Sequence, residues 1–213
     1  MSAQSRLEPA SRGQRGWSLC VLWALASAVG WASLALSAIP LWGAIQALRG
    51  NASLALQFVV GGLVLSALQA WVLRRSLPAS VWWGLATALG LLLYGLVFAL
   101  ATLLLSMLPD VPPGLAWLQL VVGGSLLGVP QWLVLRRYVA HASWWVGAST
   151  AGWGLGVVVV LVSIFLTAAL PTIGLGLPAP LAPAVRWSGL LAVGGAVYGT
   201  VLGLALLGLT RTR

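Results

Sequence analysis

The chain has 213 residues, of which 61% are hydrophobic and only 6% charged. A water-soluble domain carries about a quarter charged residues, so lipid is the expected solvent for most of this chain. The net charge of +9 comes from 11 arginines, with no lysine, against Glu8 and Asp110; these arginines punctuate apolar segments instead of gathering on one face, which excludes nucleic acid as a partner.

In chain order, the apolar runs predict six membrane-spanning helices. They lie at about Trp17–Ile39, Ala52–Leu73, Ala79–Met107, Leu115–Leu135, Ser143–Leu170 and Trp187–Leu209, each long enough for a hydrocarbon core of about 30 Å. The first follows Arg12 and Arg15 and contains "ALSA" at Ala35–Ala38, like a signal peptide. Its apolar run is longer than a signal h-region, and its sequence recurs downstream, so it belongs to the fold. Arg6, Arg12 and Arg15 precede the first span, Arg74 and Arg75 follow the second, Arg136 and Arg137 the fourth, and Arg211 and Arg213 the sixth. Six spans place all of these on one side and leave only Arg49 and Arg186 opposite. The positive-inside rule then predicts both termini in the cytoplasm of a bacterial inner membrane. The outer loops are Leu41–Asn51, Leu108–Pro113 and Pro171–Arg186, and the four prolines of the last predict an extended, irregular lid.

The spans repeat in pairs. "WALASAVGW" (Trp23–Trp31) matches "WGLATALGL" (Trp83–Leu91) and "WVGASTAGW" (Trp145–Trp153), at offsets of 60 and 62. "LQFVVGG" (Leu56–Gly62) matches "LQLVVGG" (Leu118–Gly124), with "GLLAVGG" (Gly189–Gly195) as a weaker third copy. The expected fold is all-α: an integral membrane bundle of six helices built from three parallel two-helix repeats with pseudo-threefold symmetry. Residues 1–16 form a cytoplasmic tail, and residues 17–213 form a single transmembrane domain with repeats at about 17–75, 76–137 and 138–213.

Lipid supplies no hydrophobic drive between helices, so small residues and polar contacts must hold them. Gly62, Gly124, Gly128, Gly195, Gly199 and Gly203 form the expected helix-packing stripes. Gln69 follows Gly62, and Gln131 follows Gly124, by seven residues, within about 20° on a helix, so both amides share the packing face. Gln57 and Gln119 repeat nearer the outer side, while the third copy has Leu190 and, by a gapless match, Leu202. These four glutamines are either interhelical polar contacts or contacts to a solute. Pro130 interrupts only the fourth span, as a tolerated irregularity or a hinge. Trp71, Trp82, Trp83, Trp132, Trp144 and Trp145 near one boundary, and Trp42, Trp117 and Trp187 near the other, read as an aromatic belt. A stacking site for a pigment or quinone is the lesser reading.

No Asp, Glu, Lys, Arg or His lies inside a predicted span, and there is no paired carboxylate or Ser/His/Asp set. Cys20 and His141 are the only residues of their kinds, which excludes an internal disulfide and Cys- or His-cluster metal sites; His141 reads as a solvated loop residue. The "QWLVLRR…WW…G" string (Gln131 to Gly147), with "QAWVLRR" (Gln69 to Arg75), resembles a group of bacterial multi-pass membrane proteins that carries no assigned chemistry. Arg74, Arg75, Arg136 and Arg137 are the topology-setting residues. The expectation is a non-enzymatic membrane subunit without a cofactor, structural or partner-binding, whose partners are the bilayer and another membrane protein or a second copy. A passive channel or facilitator for a small neutral or anionic solute is the alternative.

Overall fold

The structure is a computed structural model that describes residues 8–37, 51–74, 78–107, 113–168 and 181–211. The described residues form six α-helices and no strand: α1 (Glu8–Leu36), α2 (Asn51–Leu73), α3 (Ser80–Ser106), α4 (Pro113–Leu135), α5 (Trp144–Ala168) and α6 (Leu181–Arg211). In hydrocarbon every backbone N–H and C=O must bond within its own segment, and the helix does this without an edge. Five helices contain stretches long and apolar enough to cross a membrane: Gly16–Leu36, Leu56–Leu73, Ser80–Leu105, Trp144–Thr167 and Leu181–Gly208. In α4 the described apolar stretch is the shorter Val122–Leu135.

Two boundaries differ from expectation. Residues 8–16, expected as a tail, are the first turns of α1. Ala10, Arg12, Gln14 and Arg15 are good helix formers, and Pro9 falls in the first turn, where its missing N–H costs nothing. Residues 181–186, expected within an irregular lid, are helical. Pro183 likewise sits in the first turn of its helix and starts it instead of breaking it. Residues 171–180, 41–50 and 108–112 of the three loops, with Arg49, Asp110 and Trp42 among them, lie outside the described residues, as does Arg75, while Asn51 and Pro113 begin α2 and α4.

Each helix packs on its two chain neighbours, and α6 closes on α1. The result is a ring in sequence order, with α1–α6 the most extensive pair. The six packing glycines face the next helix around this ring: Gly62 meets Leu91 on α3, Gly124 and Gly128 meet Ser149 on α5, and Gly195, Gly199 and Gly203 meet Ser27 and Cys20 on α1. At Gly124 a Cβ would stand 2.6 Å from the Thr150 Cα, so only glycine permits that approach. Pro130 lies inside a continuous α4. It leaves the Leu126 carbonyl without its usual i+4 donor, and that carbonyl faces Gly90 on α3.

The arginine-bearing end is anchored by stacking. The Arg74 guanidinium lies over the Trp71 ring at 5.1 Å, and Arg136 over Trp132 at 5.3 Å. The spacings are three and four residues, and both put the pair on one helix face. The offset between "QAWVLRR" and "QWLVLRR" therefore leaves the contact intact. After α4 the chain turns through His141, exposed and at φ 58°, whose carbonyl accepts the Trp144 N–H at 3.2 Å.

Candidate functional site

The ring's axis is filled by tryptophan. Trp23, Trp83 and Trp145, from α1, α3 and α5, are fully buried and meet edge to face. Their ring centroids lie 5.7 Å (Trp23–Trp83), 6.5 Å (Trp23–Trp145) and 5.0 Å (Trp83–Trp145) apart, the T-shaped geometry that aromatic quadrupoles favour. Trp83 and Trp145 are thus core residues, not belt residues. Successive helical residues are about 100° apart, so in each "WW" pair one ring faces out and one faces in: Trp82 is 65% and Trp144 77% exposed. Trp71 and Trp187 are exposed as a belt requires, and the Trp117 side chain lies outside the described residues.

Four residues after each axial tryptophan stands a hydroxyl: Ser27, Thr87 and Ser149. This spacing puts both groups on one helix face. The glutamines answer them from the neighbouring helices. Gln131 Oε1 accepts from Trp145 Nε1 at 2.9 Å, and its Nε2 donates to Thr87 Oγ1 at 2.8 Å. Gln69 Oε1 accepts from Trp83 Nε1 at 3.4 Å and from Thr87 Oγ1 at 3.1 Å. A chain of donors therefore runs Gln131 to Thr87 to Gln69, joining α4, α3 and α2, and continues through Trp145 to α5. Both glutamines are fully buried, so at this level they hold helices together and line no open passage.

The α6–α1 seam is built differently. Leu202 occupies the position matched to the glutamines, and Tyr198, one turn earlier, turns its hydroxyl the other way, to Ser149 Oγ on α5 at 3.3 Å. Ser149 also donates to the Gly124 carbonyl at 2.8 Å. Trp23 Nε1 and Ser27 Oγ, buried at this seam, have no partner among the described residues, nor do Trp31 Nε1 and Gln69 Nε2. Gln57 is half-buried near the start of α2, and the Gln119 side chain lies outside the described residues.

Beyond the axial layer, eight residues or about 12 Å further along α1 and α5, a second aromatic layer joins Trp31, Trp153 and Tyr198. Their centroids are 4.8–6.3 Å apart. Tyr94 packs on Trp153 at 4.9 Å and Phe58 on Tyr94 at 5.2 Å. These rings form one wall of a cavity of about 440 Å³, completed by Phe98 and by aliphatic residues of α5 and α6. Its wall is almost entirely carbon. Among the described residues no group of three or more His, Cys, Asp or Glu stands ready to hold a metal.

Gln69 and Gln131 stand out in the sequence by their repeated place on the packing face, whereas Trp83, Thr87 and Trp145, their partners, do not. The signal for the partners was present: a tryptophan is followed by Ser or Thr four residues later at Trp23/Ser27, Trp83/Thr87 and Trp145/Ser149, and a hydroxyl inside an apolar helix needs a bonding partner. No protein-family model matches the chain, and no curated protein or solved structure matches it.

Proposed function

We propose that this chain is a multi-pass protein of the bacterial inner membrane, made of three parallel two-helix repeats, that acts as a non-catalytic structural or partner-binding subunit. The observation that carries the reading is the use of its interior polar groups. Gln69, Gln131, Thr87, Ser149 and Tyr198 bond across helix boundaries around a tryptophan-filled axis. Such groups contribute to ring cohesion rather than to a solute path. A partner helix has a place on the outward face of α5, where Gly147 and Ala151 are exposed four residues apart and a Cβ at Gly147 would meet nothing within 4 Å.

The test is the mass of the particle released from native membranes in mild detergent. A complex heavier than one chain, reduced to the single chain by Gly147→Leu, is expected; a lone monomer from native membranes would remove the reading. Orientation is tested separately. Cysteines replacing Asp110 and Arg137 should label from opposite faces, and labelling from one face overturns the six-span topology. The second reading, a facilitator for a small neutral or anionic solute, is favoured by the buried donors Trp23 Nε1 and Gln69 Nε2, which have no partner among the described residues. Glycerol or chloride flux in liposomes tests it. Flux that survives alanine at Gln57, Gln69, Gln119 and Gln131 together rules out its glutamine-lined form.

A further inference from the structure

We infer that the cavity binds a single-chain anionic amphiphile, a fatty acid, with its tail among the aromatic rings and its carboxylate on Arg186. The site requires only the helix ring and is independent of any partner. Three observations meet there.

The first is size and chemistry. A volume of about 440 Å³ falls within the range of about 300–1,000 Å³ found for small-molecule pockets. The carbon wall offers water no partners, and apolar space of this kind accepts hydrocarbon instead. The second is the lining. Trp31, Phe58, Tyr94, Phe98, Trp153 and Tyr198 present ring faces and edges to the space, and such rings grip a methylene chain by dispersion over a large area.

The third is the charge placed over it. Thr167 follows the wall residue Val160 by seven residues, so it lies on the same stripe of α5, within about 20° and about 10 Å further along. Arg186 Nη2 donates to Thr167 Oγ1 at 3.1 Å. The neighbour of Arg186, Trp187, is itself part of the cavity wall. The guanidinium is thereby held on the cavity-facing stripe by a neutral hydroxyl, and no carboxylate among the described residues pairs with it. An acid head on Arg186 with a chain descending past Trp187 satisfies both ends at once.

The probe is 9,10-dibromostearate, whose bromines quench nearby indoles, added to the full-length chain in nanodiscs of zwitterionic phospholipid. Saturable quenching of tryptophan fluorescence is expected, with a smaller amplitude in Trp153→Phe. Arg186→Ala should raise the half-saturating concentration about tenfold for the acid and leave it unchanged for the matching dibromostearyl alcohol. Val157→Phe, which fills the cavity, should abolish the saturable component for both probes; if that variant does not fold, Val160→Phe serves the same purpose. Quenching that rises linearly without saturation, or an Arg186→Ala titration that overlays the unaltered protein, overturns the proposal.

Discussion

The α4–α5 seam and the α6–α1 seam both set a glycine-bearing helix against an axial tryptophan and a serine, and they reach opposite polar outcomes. At α4–α5, Gln131 satisfies the axial indole and reaches on to the next hydroxyl. At α6–α1, Leu202 cannot, and Trp23 Nε1 and Ser27 Oγ are left without partners among the described residues. Tyr198 restores one bond of the missing glutamine, the one to Ser149; nothing restores the bond to Trp23. Close packing and hydrogen bonding are therefore separable contributions in this ring. A seam lacking its polar bond still closes, because backbone approach supplies the attraction in lipid.

The largest effect should come from disturbing what the seams share. Gly124→Ala and Gly199→Ala should each destabilise the folded chain by about 1–3 kcal/mol through overpacking, read as a lowered midpoint of thermal unfolding in detergent. Equal losses at both seams are expected; a loss at only one would show that packing, too, is unequal. Next is Gln131→Leu, which copies the α6–α1 arrangement into α4–α5 and strands Trp145 Nε1. A loss of about 1–2 kcal/mol is expected, between the cost of a buried orphan donor and the average of about 0.6 kcal/mol for interhelical bonds in a membrane protein. The reverse exchange, Leu202→Gln, offers Trp23 an acceptor and should stabilise by about 0.6 kcal/mol; a loss of stability would mean that the seam cannot accommodate an amide. Smallest of all, Ser27→Ala removes a hydroxyl that bonds nothing described and should stay within about 0.5 kcal/mol of neutral. Ser149→Ala, which removes two bonds, should cost about 1 kcal/mol, and equality of the two serines would erase the distinction between the seams.

Much of the architecture was legible in the sequence because lipid imposes simple rules. Length and apolarity located the helices, and small residues at four-residue spacing located the helix contacts. The seven-residue step from Gly124 to Gln131 located the buried amide. The axial tryptophans were misread because Trp82 and Trp83 are indistinguishable by composition and proximity to a boundary; only their 100° separation decides which faces the axis. The start of α6 was misread because prolines end a helix in its interior yet suit its first turn. The cavity was not legible at all. It is the space left where Gly156 and Gly194 draw α5 and α6 together, with a Cβ at Gly156 standing 2.8 Å from the Gly194 carbonyl oxygen, while larger side chains hold the facing helices away.

The ring has a consequence for biogenesis. Five of its six helix pairs join segments adjacent in the chain, so each can form as the newer helix enters the bilayer. The α6–α1 pair joins the first helix made to the last, and it is the most extensive contact in the ring. Until translation is nearly complete, α1 must wait with its glycine-seeking face uncovered, and Trp23 and Ser27 must wait with it. A premature partner for that face, from a second nascent chain, would close the ring between molecules instead of within one. The hazard at this seam is domain swapping, because it is the one contact that must wait for both ends of the chain.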